Sequence, residues 1–249
     1  MTGEGGRTMA AMRLDRVLSE MGAASRSEAK TVIRAGRVTV NGEVCRRPEQ
    51  KVDPAGDSLT LDGETLSYRR FHYYMMDKPV GVVTATEDRE QRTVLDLLPP
   101  ELRRMGLFPV GRLDKDTSGL LLLTDDGDFA HRVISPKFSV EKRYYACVEG
   151  EVDAGDIAAF AAGLTLRDGT VTLPAVLESL GPGECLVTVT EGKYHQVRRM
   201  LASRGKPVTA LRRISVGGLT LEPGMEPGGV REVPESDLCK LFSKKHKEN

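Results

Sequence analysis

The stretch that most restricts how this chain can fold is GRLDKDTSGLLLLTDDG, residues 111–127. Leu120–Leu123 form an unbroken apolar run bounded by turn residues, which reads as a buried strand. Immediately before it stand Arg112, Asp114, Lys115 and Asp116, charges that a core strand does not ordinarily carry at its mouth. Asp114 follows Leu113 at a strand–loop edge, where a rigid frame can present a reactive group. The competing reading is a surface ion-pair cluster that contributes almost nothing.

A chain of 249 residues suggests one large domain or two of unequal size. Its 29% charged and 39% hydrophobic residues suit a soluble globular protein. The formal net charge is zero, so affinity for nucleic acid has to come from local patches. No apolar run approaches the roughly 18 residues that span a bilayer, so no membrane association is expected. Residues 1–11 lack the apolar region of a secretory signal and read as a disordered Gly-rich tail. The four cysteines, at 45, 147, 185 and 239, form no CxxC pair and accompany no histidine cluster. That scatter implies reduced thiols, no metal site and a cytoplasmic location.

Residues 12–63 read as a small α/β module. Leu14, Val17, Leu18 and Met21 have the spacing of one helix face, and Gly22 ends that helix. Ser25 followed by Glu28 is a capping box that opens a second helix, with Gly36 placed to terminate it. VTVNGEV then alternates through Asn41-Gly42, a two-residue hairpin signal. Residues 12–51 hold nine Lys/Arg against five Asp/Glu. Arg26, Lys30, Arg34 and Arg37 recur at helical spacing beside the cap, so several can share one face. On so small a module this reads as a footprint for a phosphate backbone.

Turn signals at Asp53-Pro54 and Asp62-Gly63 place a linker at 64–69. From 70 to 240 the text alternates short strands (FHYYMM, GVVTAT, GLLLLTDD, RYYACVEG, ECLVTVTEG, LTLEP) with scattered helices. The helical candidates are TVLDLLPPELRR, which Pro99 interrupts, GDFAHRVIS, DAGDIAAFAAG and YHQVRRMLASRG. The fold class is therefore α+β, with a mostly antiparallel mixed sheet flanked by helices. Residues 241–249 read as a basic tail. Residues 193–213 hold seven Lys/Arg and no acid. In the helix at their front Val197, Met200 and Leu201 form the buried stripe. Arg198 and Arg199 leave it at different angles, so one can turn toward a carboxylate while the other faces solvent or RNA.

Two resemblances follow from these residues. RLDRVLSEMGAASRSEAKTVIRAGRVTVNG resembles the S-four-type RNA-binding module, which implies RNA binding with little base reading. GRLDKDTSGLLLLTDDGDFAH, with DKPVGVVTAT, EKRYYACVEG and EGKYHQVRRM, is similar to the pseudouridine synthases of the RsuA type, which act on ribosomal RNA. That likeness runs from about residue 13 to 235, with both domains in the family order. It implies isomerisation of one uridine: the bond from uracil N1 to ribose C1′ breaks, the base turns, and C5 takes its place. The base must be swung out of its stack to be reached. EGKYHQV resembles the small-subunit branch, and the large-subunit branch of the same family remains the alternative.

By resemblance, Asp114 is the essential carboxylate, either nucleophile at C1′ or base toward a ribose proton. A nearby guanidinium favours its charged form, and Arg198 matches the family position for that partner. Tyr144 matches the tyrosine that stacks on the base, and Arg112 the arginine at the mouth of the site. Lys78, Pro79 and Gly81 match the KPxG loop that supports the pocket, although Asp77 stands where Asn is commoner. Arg26, Lys30, Arg34, Arg37, Lys193 and Arg199 complete the expected RNA contacts. Nothing around His195 demands a catalytic role; it is placed to touch RNA or cap its helix. No cofactor is implied, and no phosphate-cradling nucleotide loop or metal spacing is present in the sequence. The expected partner is ribosomal RNA, naked or partly assembled, with the protein acting as a monomer.

Two other classes of function compete. A non-catalytic ribosome-associated protein would not need Asp114, Tyr144 and Arg198 together. A carboxylate glycosidase wants two acids flanking a water, and Asp116 is the only near neighbour that could serve as the second.

Overall fold

The computed structural model describes residues 11–54, 56–66 and 68–243. The calls on residues 1–10 and 244–249, and so most of both tails, lie outside the described residues. The described chain forms two compact units, one of residues up to Phe71 with Pro99–Leu107, the other of His72–Leu98 and Phe108 onward.

In the first unit the helices Leu14–Glu20 and Arg26–Arg34 pack on a four-stranded antiparallel sheet. The capping box is formed: Glu28 N–H donates to Ser25 Oγ at 3.3 Å, and Ser25 N–H donates to the Glu28 carboxylate at 2.8 Å. Leu14, Val17, Leu18, Ala29, Ile33, Val38 and Leu59 close the core. Asn41-Gly42 turns with φ of 53° and 86°, both left-handed, as a tight hairpin between twisted strands requires. Asp62-Gly63 has the same pair of angles. It too is a hairpin, so the chain returns as the strand Glu64–Leu66 against Leu59–Leu61. The first half of the stretch expected as linker is thus sheet.

The second unit is built on one sheet with the strand order Val176–Gly181, Glu184–Val189, Lys142–Val148, Val208–Val216, Thr117–Thr124, Tyr73–Lys78, Val230–Glu232. Every pairing along that order is antiparallel except Val208–Val216 with Thr117–Thr124. The helices Gly127–Ile134, Ala154–Ala162 and Gln196–Ser203 belong to the same unit. All four leucines of Leu120–Leu123 are buried. Each contributes about 2 kcal/mol by leaving water, which makes this interior strand a stiff base for the loop before it. Its C-terminal charges are structural. Asp126 caps the next helix by accepting from Phe129 N–H at 3.0 Å, and Asp125 accepts from His72 N–H at 2.7 Å.

Two sequence expectations differ from the structure. GVVTAT forms a single bridge at Val83 instead of a strand. TVLDLLPPELRR, by contrast, is interrupted at Pro99 as its sequence reads, into a 3-10 turn at Leu95–Leu97 and a short helix at Pro100–Arg103, because Pro99 has no N–H with which to carry one helix through. Leu241, expected in the tail, is buried at the end of the turn Glu235–Leu241.

Candidate active site

The loop between Leu113 and Thr117 is held from all sides. Leu113 is fixed by Thr84, whose hydroxyl donates to the Leu113 carbonyl at 2.6 Å and accepts from its N–H at 3.1 Å. Lys115 O accepts from Gly81 N–H at 2.7 Å, and Lys115 Nζ reaches Gln91 at 2.8 Å. Beneath the loop lies Lys78, wholly buried at the end of its strand. Its ammonium donates to three carbonyls, those of Pro79 at 3.0 Å, Asp114 at 3.1 Å and Thr117 at 3.0 Å, which uses every proton it has. Burial pulls its pKa down to about 8; the charges of Asp114 and Asp116 act the other way, and Arg213 adds to the lowering. Gly81, at φ 84°, is a turn residue of this brace. Lys78 is therefore the clamp under the reactive loop and not itself a loop residue.

So held, Asp114 lies at the edge of a cavity of about 880 Å³, with about a third of its side chain exposed. That volume lies within the usual range for small-molecule sites and suits a swung-out nucleotide. Tyr144, Arg112, Arg198, Lys142, Arg213 and His195 line the same cavity. Tyr144 comes from the Lys142–Val148 strand, opposite Arg213 in register. Arg112 is exposed and has no charged partner among the described residues. Two buried polar atoms in the lining, Thr117 Oγ1 and Arg198 Nε, have no hydrogen bond among the described residues. Such orphans are uncommon and mark places where a ligand atom can complete the bonding.

The structure corrects the expected partner of Asp114. Arg198 is bound to Asp116, at 3.0 Å to both its carboxylate and its carbonyl, and to Val208 O at 3.3 Å. His195 Nε2 stands 3.5 Å from the Asp114 carboxylate. His195 occupies the N-cap position with φ 46°, yet its side chain caps nothing. The left-handed backbone turns the ring out of the helix start, and Tyr194 stacks on it at 3.9 Å between centroids. Composition and spacing do not show a residue's backbone conformation at a helix start, so nothing in the sequence places His195 beside Asp114.

Two of the expected RNA contacts are already engaged. Lys193 Nζ is held by Glu191 and by Val171 O, each at 2.7 Å. Arg199 pairs with Asp168 and donates to Tyr194 O at 3.2 Å. Both shape the loop that carries His195. Glu191 is the buried centre of that network, also accepting from Leu173 N–H and Gln196 Nε2 at 2.8 Å. Burial raises its pKa, but the bonds from Lys193, Leu173 and Gln196 outweigh this and hold it below the usual carboxylate range. In the first unit Arg26, Lys30 and Arg34 are exposed and lie four residues apart on one helix, without acidic partners within ion-pairing distance among the described residues. Arg37 differs, forming a two-point pair with Asp62. Asp77, the departure noted in the sequence, is buried and paired with Arg212 at 2.7 Å. Among the described residues no group of three metal-ligating side chains occurs, and no helix is long and apolar enough to cross a membrane.

Comparison with known proteins places the chain in a family. The RNA pseudouridylate synthase family model matches residues 72–203, and the S4 domain model matches residues 12–59. An RNA pseudouridine synthase of Bacillus subtilis (strain 168), YtzG, is 44% identical over 231 residues, 91% of this chain and 97% of that protein. The Ribosomal small subunit pseudouridine synthase A of Escherichia coli (strain K12) is 39% identical over 92% of this chain and its own full length. A crystal structure of a pseudouridylate synthase aligns with a TM-score of 0.65 at 36% identity, covering 92% of this chain and 99% of that one. With a family model over its sheet unit and relatives matched along nearly their whole length, the chain belongs to the RNA pseudouridine synthases, and it carries an S4 domain in front.

Proposed function

We propose that this enzyme converts one uridine of small-subunit ribosomal RNA to pseudouridine, acting as a monomer in the cytoplasm, with Asp114 as its essential carboxylate. The observation that carries the assignment is the placement of Asp114. It stands on a loop clamped by a buried lysine, at the edge of a cavity that also holds Tyr144, Arg112 and Arg198. The extruded uridine enters that cavity with its ring against Tyr144 and its ribose toward Asp114. Asp114 then either adds to C1′ or removes the C2′ proton; both need an ionised oxygen on a support that does not drift. Arg198 locks the loop through Asp116, and its bare Nε lies in the lining for the substrate. Arg112 meets the RNA outside the mouth, while Arg26, Lys30 and Arg34 hold the phosphate backbone elsewhere on the molecule. Small-subunit RNA is favoured because most of the highly similar relatives carry that target in their names.

The test is pseudouridine mapping of both ribosomal RNAs from cells with the gene, without it, and with Asp114→Asn. We expect one small-subunit site to disappear in the last two cases, while purified Asp114→Asn still binds the RNA. A missing site in large-subunit RNA would reassign the substrate. An unchanged map would refute the activity in those cells.

A further inference from the structure

The cavity wall holds two cations that none of the roles above uses. Lys142 and Arg213 are 8% and 4% exposed, and both line the cavity. Among the described residues Lys142 Nζ has one hydrogen-bond partner, the Val140 carbonyl at 2.9 Å, and Arg213 has one, Leu120 O at 2.7 Å through Nε. Neither has a carboxylate within ion-pairing distance among the described residues. A buried charge without a counter-ion is costly to a folded protein, and here two of like sign stand close enough to act on each other. Burial is the main cause that lowers Lys142 to about 8, and repulsion from Arg213 adds to it. The fold keeps this arrangement by design of its register. Lys142 is two residues from Tyr144 and so on the same sheet face, while Arg213 lies opposite Tyr144 on the neighbouring strand.

That is where the uracil ring goes if Tyr144 stacks on it, and the chemistry of the step identifies the missing anion. When the N1–C1′ bond breaks, its electron pair stays with the base, which becomes uracilate with the charge spread over N1, O2 and O4. The sugar is balanced separately, by a bond from Asp114 to C1′ or by transfer of the C2′ proton to Asp114. When C5 bonds to C1′ the Asp114–C1′ bond breaks and its electron pair returns to the carboxylate, or, on the other route, Asp114 gives its proton back to C2′; the ring is then neutral, and its C5 proton is exchanged for one on N1.

We propose that Lys142 and Arg213 form a two-cation floor that stabilises the uracilate formed as the glycosidic bond breaks, and that their want of a counter-ion in the free enzyme is the preorganisation this requires. A charge placed where negative charge develops, in a site that excludes water, acts on the transition state far more than on the neutral bound base. A phosphate of the RNA would be the other anion of suitable chemistry, but the pair lies inside the cavity on the face of Tyr144. Phosphate binding would moreover be felt in affinity and not in rate.

The inference rests on the assignment of this cavity to uridine, and wild-type turnover tests that part alone. The experiment compares wild type, Lys142→Met and Lys142→Arg in single-turnover reactions on a ribosomal RNA fragment carrying the mapped uridine, or 5-fluorouridine in its place. Fluorine makes the ring a better leaving group, so it needs less help from a cation; because C5 then has no proton to lose, the rate read on both substrates is the loss of the N1-linked nucleoside from the digested RNA. For Lys142→Met we expect a 30- to 300-fold slower rate on uridine, an RNA Kd within threefold of wild type, and a defect at least fivefold smaller on 5-fluorouridine. Lys142→Arg should recover most of the rate. The Met variant should also melt no lower than wild type, since it removes an unpaired buried charge. Equal defects on both substrates would overturn the proposal. So would a loss confined to Kd with a flatter salt dependence, which would give the pair to phosphate. A Met variant that melts lower and is not rescued by Arg would reduce Lys142 to a packing role. Failure of wild type to make pseudouridine would instead sink the reading beneath it.

Discussion

Raising the pH from 7 to 9 should stabilise the sheet unit, against the usual course for a protein rich in ion pairs. Lys78 and Lys142 each fall from an ordinary 10.5 to about 8 in the folded chain, burial being the main cause in both. Between pH 8 and 10.5 the folded protein has released these protons while the unfolded chain still binds them. Stability rises with pH wherever the unfolded state holds more protons, so each lysine adds to stability through this window. The full separation of the two values corresponds to about 3 kcal/mol per lysine. The part realised between pH 7 and 9 is roughly 1.3 kcal/mol each. Cys185 opposes this. Burial lifts its thiol from 9.0 to about 11, so the unfolded chain ionises first and about 0.4 kcal/mol is lost by pH 9. The net gain of about 2 kcal/mol should raise Tm by on the order of 5 °C for a unit of this size. Far-UV circular dichroism melts at fixed ionic strength and pH 7, 8 and 9 would read it directly. Lys142→Met should start more stable at pH 7 and show about half the rise. A wild-type Tm that stays level or falls over that range would refute the linkage argument, as would an unaltered slope in Lys142→Met.

Three further outcomes test the rest of the architecture. Gly119 has φ 104°, and a Cβ there would stand 2.2 Å from the Arg213 carbonyl oxygen; Gly119→Ala should therefore destabilise by more than about 3 kcal/mol in denaturant unfolding, and a loss under 1 kcal/mol would contradict the close strand approach. Replacing Arg26, Lys30 and Arg34 together by Gln should lower the slope of log affinity against log salt by about 2 to 3, whereas Arg37→Gln, which frees a residue already paired with Asp62, should change it far less; equal slopes for the triple variant and wild type would remove the helix from the RNA contact. Tyr144→Phe should keep most of the single-turnover rate and Tyr144→Ala lose tenfold or more, because base stacking on an aromatic ring is worth about 1–3 kcal/mol; equal losses would shift the role to the hydroxyl.

What the sequence made legible, and what it hid, divides along the range of the interactions involved. Ser25 with Glu28 and the Asn41-Gly42 turn were readable because each is a contact between residues three or fewer apart, and the structure forms both. Leu120–Leu123 were readable as strand because burial leaves its mark on the residues themselves. The nine-residue strand Val208–Val216 was not. Its arginines look like surface charge in one dimension, and only the neighbouring strands show that Arg213 is buried beside Tyr144 and that Arg212 reaches Asp77. The position of Asp114 before the leucines fits a surface ion pair as well as a reactive group, and only the family resemblance marks it out; the partner that the resemblance implies for it is not the one the fold supplies. Arg198 can approach either Asp114 or Asp116, two residues apart, and the choice is made by how the turn at 114–117 closes, with Thr117 N–H on Asp114 O. That closure directs the carboxylate of Asp116 to Arg198 and leaves Asp114 facing His195 and the cavity. A guanidinium bonded tightly to Asp114 would compete with the sugar for the same oxygens. On the role proposed for Asp114, an arginine that secures the loop through its neighbour holds that carboxylate in place while leaving it available, and this is the arrangement that attack at C1′ or removal of the C2′ proton would need.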